Sequence, residues 1–471
     1  MANDIESSKD HTSIVVEDNL LEELKESMRG KLGPDRSPLP STCCIFKVPQ
    51  VLRRHNPKAY QPDVVSIGPF HRHRKQLQRM ETVKQWYLRN LLSRMNISLE
   101  IFITRINKFL GKKEKGIVEF EKRAREFYAE SFVHLTHSNL IEMMILDGCF
   151  VIQLLRKFIH REEKEDDPIF NMDCMFQYVC HDLLLLENQI PWFVLSCLYS
   201  VTLESYPGDP SQFSKVLLTA FGKLDSLSHN CNSYLEYLDR DDHKVDEDGV
   251  LHILDLLRTS VVFLYKPFVP PSRNLENDKK CRWWFAKKKQ QKLGPEIPPA
   301  TALSEAGIRF ERGSANNASI MNIDFKDGVL TIPALAVGEL TEPLLRNLIA
   351  FEQCYHGRSH QITSYAVLMD KLIASKSDME FLCQEKIIGN WLSVEDGSEF
   401  FNKLYVGTLV KKFDYYHLCV EVNKYYDVTW NKNVEKLKRD YFGNPWKVTS
   451  LIAASFLLVL TLLQTIFTIH K

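Results

Sequence analysis

Apolar side chains in this chain fall mostly at helical spacing. In HRHRKQLQRMETVKQWYLRNLLSR, Leu77, Met80, Val83, Trp86 or Tyr87, and Leu91 share one face of a helix. Three later stretches, HSNLIEMMILDGCFVIQLLRKF, DLLLLENQIPWFVLSCLY and LHILDLLRTSVVFLY, are apolar nearly all round, as helices buried in a core or a membrane are. Glu142, Asp147 and Gln153 inside the first favour the core. In the second, Glu187, Asn188 and Gln189 just before Pro191 predict a helix break. Pro suits the first position of a new helix, and Asn188 or Gln189 is placed to satisfy the backbone groups that the break frees. Asn139 with Glu142, and Ser377 with Glu380, have capping-box spacing. Helices are expected again from Glu342 onward.

Period-two patterning is rarer. Residues 44–48 and 64–67 read as two short strands around the turn signal Asn56-Pro57, and Gly68-Pro69 closes the second. Residues 308–310, 321–325 and 329–332 follow, with Lys326-Asp327-Gly328 as a hairpin turn. The fold class is therefore mainly α (α+β): a large helical soluble domain with a small antiparallel sheet, plus one C-terminal transmembrane helix. The side chains of Asn56, Glu187, Asn188, Gln189, Glu352 and Gln353 are expected to satisfy turns and helix ends.

The last apolar run supplies that transmembrane helix. Residues 448–469 carry no charge over roughly 33 Å of helix, enough to cross a bilayer. Val448, Leu451, Phe456, Leu460, Leu463, Phe467 and Ile469 are the expected membrane-spanning residues, with Ser455, Thr461 and Thr465 bonding back to their own carbonyls. Trp446 is placed as an interfacial aromatic. Lys432, Lys436, Lys438, Arg439 and Lys447 outnumber Glu435 and Asp440, which puts the upstream bulk in the cytosol. The expected organisation is an acidic disordered arm over 1–40 with a short helix near 20–28, a helical subdomain over 41–266 carrying the two N-terminal strands, a Pro/Lys/Trp-rich linker or insertion over 267–300, a second subdomain with the β-hairpin and helices over 301–445, and the membrane helix over 446–469.

Composition narrows the partners. The 471 residues carry 60 basic and 60 acidic side chains, so nucleic acid is not an expected partner. The start, MANDIESSKDHTSIVVEDNL, has no secretory-signal pattern, so insertion is expected through the tail. Eleven scattered cysteines fit a reducing compartment. Sequons at Asn96 and Asn317 can report topology.

Chemistry is hard to find. The chain has no phosphate-cradling Gly-x4-Gly-Lys-[Ser/Thr], no Gly-x-Ser-x-Gly, no His-Glu-x-x-His and no Gly-x-Gly-x-x-Gly. Cys174, Cys180 and His181, His134 and His137, and Cys354 and His356 each lack the second ligand pair of a structural zinc site. They read as packing, and no metal or cofactor is expected. An acid/base pocket would have to draw on His71, Glu187 and Glu352. Arg72, Arg74, Lys75 and Arg79 read as a salt-bridged face. In the linker, Lys280, Arg282, Trp283, Trp284, Lys287 and Lys288 join basic charge to large aromatics, which suits an anionic lipid surface.

Seven stretches resemble, in order, a plant family called domain of unknown function 247, or uncharacterised protein family 0481. They are CIFKVPQVLRRHNPKAYQPDVVSIGPFH, LDGCFVIQLLR, DLLLLENQIPWFVL, DGVLTIPAL, RNLIAFEQC, ITSYAVLMDKLI and RDYFGNPWKVTSLIAASFLLVLTLLQTIF. The resemblance implies a land-plant protein with one C-terminal membrane pass and a mostly helical domain. It implies no established enzyme activity and brings no catalytic residues. Some grass members are associated with self-incompatibility, a recognition between pollen and stigma.

The expectation is a membrane-tethered interaction or signalling module without catalysis, whose partners are the bilayer and an unknown protein. The rivals are a membrane-anchored enzyme of unrecognised class and an extracellular self/non-self recognition domain. For the linker, the chain lacking its C-terminal apolar run should bind vesicles containing anionic lipid. Replacing Trp283 and Trp284 by Ala should remove most of that binding in a sedimentation assay; unchanged binding rules lipid docking out.

Overall fold

The apolar stretch around Asp147 folds as the long helix His137–Ile159, whose residues from Leu140 to Leu155 are almost all buried. An apolar surface on every side has to be covered on every side, and the helices Gln78–Met95 and Trp192–Leu203 pack on it. The computed structural model describes residues 19–31, 39–113, 116–159, 166–172, 174–203, 212–240, 249–269, 296–313, 319–338, 340–390 and 392–428, with 449, 453–454, 456–461 and 463–465 nearer the C-terminus. Among the described residues, His137–Ile159 is the one helix long and apolar enough to cross a membrane, and it is mostly buried inside the fold. Asp147 and Gln153 are buried on it, and the sequence places both in a core.

Two compact units are present, Met1–Cys43 and Cys44–Lys471. In the first, the expected short helix spans 19–31 and leaves Leu20, Leu21, Leu24 and Met28 exposed. In the second, one hydrophobic cluster draws on residues from Cys44 to Val422. Helices dominate it, from Gln78–Met95 through Ile253–Val262 and again from Thr341–Cys354 through Tyr416–Tyr426.

The sheet is small and mixed. Strands β1 (Arg309–Gly313), β2 (Asp324–Lys326) and β3 (Val329–Pro333) lie in the order β1-β3-β2. The expected hairpin forms between β2 and β3. Asp327 and Gly328, with φ of 49° and 78°, make its two-residue turn, the left-handed geometry that matches strand twist. The expectation of an antiparallel sheet needs correction at β1, which runs parallel to β3. The connection from β1 to β3 is not a tight turn but includes β2, so it can bring β1 to the open edge of β3 in the same direction. Strands β4 (Leu335–Val337) and β5 (Ile388–Asn390) pair in parallel as well.

The two N-terminal strands are a second correction. Residue 45 makes only an isolated bridge to Tyr128, with the amides of Cys44 and Ile45 both donating to the Phe127 carbonyl. Residues 63–68 pair with no strand among the described residues, and side chains from two helices and a turn take the bonds that a ladder would have taken. Caps moved too. The Asn139 amide donates to Thr136 Oγ1, so Thr136 and not Asn139 opens the long helix. Ser375, two residues before the expected Ser377, caps Lys376–Gln384. A hydroxyl before the helix accepts an end amide wherever the chain turns in, and spacing alone does not fix that turn.

Gly68 has φ of 75°, and a Cβ built there would lie 2.6 Å from the Gln189 carbonyl oxygen. Both the left-handed backbone and the contact with main-chain atoms require glycine. Gly68→Ala should therefore cost roughly 2–4 kcal/mol, read as a lower midpoint in urea unfolding of the purified chain.

Candidate functional site

The residues of the DLLLLENQIPWF stretch meet in a buried polar centre around 44–70. Helix Met175–Asp182 ends there, and the turn that follows carries Glu187, Asn188 and Gln189. Asp182 Oδ1 accepts from the Asp63 amide at 2.9 Å, and Oδ2 accepts from Val64 and Val65 at 2.7 Å each. Asn188 Oδ1 accepts from the Ile67 amide, while its amide group donates to the Val65 and Asp182 carbonyls. Gly68 donates to Asp147 Oδ2 at 2.8 Å. Gln189 donates to the Leu183 and Leu185 carbonyls and accepts from the Leu254 amide. The helix break read from Pro191 is thus satisfied by the side chains beside it.

Charge enters from the helix Gln78–Met95. Lys84, fully buried, reaches Asp147 Oδ1 and Glu81 Oε1 at 2.6 Å each and donates to the Ser66 carbonyl. Arg72, alone of the cluster Arg72, Arg74, Lys75 and Arg79 in the ion pairs among the described residues, approaches Glu81 at 3.3 Å and Asp147 at 3.9 Å, while Arg74 donates to Gln61. Burial pushes the Asp147 carboxyl above its usual range, and Lys84 pulls against it. Glu187 accepts from the Val48 amide at 2.7 Å and from Arg53, and its Oε2 lies 3.2 Å from His71 Nε2. Burial would raise its pKa, but His71, Arg53 and the Val48 amide outweigh it and hold the carboxyl low.

A second centre joins parts of the chain far apart in sequence. Asn347 accepts from the Leu186 amide and donates to the Ala59 carbonyl. Glu352 accepts from Arg258, from the amides of Ile362 and Thr363, and from the Thr363 hydroxyl, which caps the helix Gln361–Leu372. Gln353 holds Leu409 through both its amide and its carbonyl. Asp255 takes Arg358 in a two-pronged pair at 2.7 Å per bond. His252 caps the helix Ile253–Val262, its Nδ1 accepting from the Asp255 amide.

Of the acid/base candidates, His71 and Glu187 are brought together, whereas Glu352 has entirely different partners. Each carboxylate is occupied by a guanidinium and by backbone amides. Sequence reasoning missed Lys84, Asp182 and Asn347. Asp182 and Asn347 lie in apolar stretches, where their signal is polarity among core neighbours, whereas Lys84 lies on an amphipathic helix beside exposed residues and carries no such signal. A cleft of about 410 Å³ lies between His55, Arg346 and the helix Val394–Leu404. Its buried Arg346 is already paired with Glu342 at 2.6 Å.

Lys280, Arg282, Trp283, Trp284, Lys287 and Lys288 lie outside the described residues, as do Val448, Leu451, Phe467 and Ile469. Phe456, Leu460 and Leu463 fall in an apolar helix over Phe456–Thr465. In it, the hydroxyls of Thr461 and Thr465 donate to the carbonyls of Leu457 and Thr461, as expected.

A helical α+β protein organised around buried polar side chains is the class that this geometry defines. The chain belongs to the family domain of unknown function 247, described as "Plant protein of unknown function", which matches residues 45–460. It is similar to the Arabidopsis thaliana UPF0481 protein At3g47200, 30% identical over 442 residues that cover 90% of this chain and 86% of the relative. A second Arabidopsis thaliana UPF0481 protein, At3g02645, is 24% identical over 488 residues, covering 90% and 89%. No solved structure matches the chain.

His252 gives this centre a pH response. Burial lowers its pKa to about 4, with Asp255 opposing and Arg358 assisting. The unfolded imidazole takes up a proton near pH 6.5, the folded one only near pH 4. Between these values the unfolded chain binds more protons, so stability falls as pH falls, by up to about 3 kcal/mol. His252→Asn keeps a capping acceptor without the titration. Its loss of stability from pH 6.5 to pH 4.5, followed by urea unfolding, should be smaller than that of the unsubstituted chain.

Proposed function

We propose that this protein is a membrane-tethered interaction module without catalysis, held at a bilayer by residues 448–469, with residues 44–428 facing the cytosol. The observation that carries this reading is the run Phe456, Leu457, Leu458, Val459 and Leu460, each at least half exposed on one helix. Five consecutive residues cover every side of a helix. A helix apolar and uncovered all round needs an apolar medium, and threonine hydroxyls bonded back to its own carbonyls leave few polar groups facing that medium. The acid/base candidates Glu187 and Glu352 support the absence of catalysis, since each already has its arginine and its amides. Docking of the Lys280 to Lys288 loop on anionic lipid would be a second contact with the same surface.

Topology tests the reading. In sealed membrane vesicles, protease added outside should digest the large domain without detergent, the chain should carry no glycan at Asn96 or Asn317, and alkaline carbonate should not extract it. A protected, glycosylated domain would instead favour an extracellular recognition domain.

A further inference from the structure

We infer that His181, Asp182 and Asp63 form a site for a divalent transition-metal cation, with Zn²⁺ the best match. The three side chains each offer a ligand atom, all within 4.8 Å of one another. His181 is buried to 3% exposure, and both of its ring nitrogens are buried without a hydrogen-bond partner. Its Nδ1 faces Asp182 Oδ1 at 3.6 Å, too long for a hydrogen bond. A neutral imidazole has one donor and one acceptor, and leaving both unmet in a core is costly. The other buried histidines bear less of this cost: His252 and His71 each have one unbonded nitrogen, Nε2, but His252 Nδ1 accepts from the Asp255 amide and His71 Nε2 lies 3.2 Å from a Glu187 carboxylate oxygen.

Asp182 points the same way. Buried charge is ordinarily paired or bound to metal. Asp147, Asp167, Asp255, Glu187 and Glu352 each face a lysine or arginine. Asp182 is fully buried, and among the described residues its one ion-pair contact is His181. Asp378 also lacks a cation, but the hydroxyls of Thr301 and Ser375 donate to it. The three amides on Asp182 orient its carboxylate as outer partners of a metal ligand do, and Oδ1, which accepts only the Asp63 amide, keeps a lone pair.

The surroundings suit a cation. His181 and Asp182 stand at the C-terminal end of the helix Met175–Asp182, where the helix dipole is negative. Asp63 is exposed and gives a way in from solvent. Tetrahedral ligands at about 2.0–2.2 Å from a metal stand roughly 3.3–3.6 Å apart, a separation that His181 Nδ1 and Asp182 Oδ1 already have at 3.6 Å, and Asp63, whose ligand atom lies within 4.8 Å of both, moves in to complete the set. One imidazole and two carboxylates form a borderline donor set that suits Zn²⁺ better than Mg²⁺ or Ca²⁺, with water completing the coordination.

The test uses the full chain in detergent, stripped with a chelator and titrated with Zn²⁺ against a chromogenic competitor. The unsubstituted chain should bind one equivalent more than Asp63→Asn or His181→Asn, and Zn²⁺ should raise its melting temperature but not that of Asp63→Asn. Because Asp63 is exposed, its variant should fold even if His181→Asn does not. A double His134→Ala and His137→Ala variant should bind as the unsubstituted chain does. Equal Zn²⁺ binding by the unsubstituted chain and Asp63→Asn, or no binding by either, overturns the proposal.

Discussion

A backbone amide taken out of water needs an acceptor, and the chain between Asp63 and Gly68 finds its acceptors on side chains. In a sheet the neighbouring strand would supply carbonyls at fixed intervals, whatever its residues. Here Asp182, Asn188 and Asp147 supply carboxylate and amide oxygens from two helices and a turn. Placement therefore depends on the identity of each partner. It is also unforgiving, because deleting one partner leaves a buried group with nothing to bond. Lys84 shows the linkage: it neutralises Asp147 and holds the Ser66 carbonyl, so charge and backbone are satisfied by one ammonium.

The same logic spans the chain. Asn347 bridges the Leu186 amide and the Ala59 carbonyl, and Glu352 joins Arg258 to the start of the helix Gln361–Leu372. These contacts tie residues on both sides of 270–295 through polar groups, inside a hydrophobic cluster that also draws on both sides. Dispersion and burial hold the helices together without direction; the polar contacts set which groups face each other.

Periodicity made the helices legible, and Asp-Gly with apolar flanks made the hairpin legible, because both signals are local. The turn residues Asn56, Asn188, Gln189 and Glu352 were legible for the same reason: a break frees backbone groups, and a polar side chain beside it meets them. The strands read at 44–48 and 64–67 were not, since β-like composition shows an extended, buried segment but not what lies beside it. Asp182 and Lys84 were hidden by distance, their partners standing over a hundred residues away in one case and 63 in the other. The grouping of His181 with Asp63 was invisible for that reason too, while its proximity in sequence to Cys174 and Cys180 drew attention to the wrong neighbours.

The bond from Asn347 to the Ala59 carbonyl bridges 288 residues. A ribosome adding about 5–20 residues per second needs on the order of fifteen to sixty seconds to cover that distance. Through that interval the segment around Ala59 has been made but its partner has not. The backbone partners of Val65 and Ile67, Asp182 and Asn188, are made well before Asn347, so the two polar centres become available in sequence order, and the one that closes on Ala59 comes last.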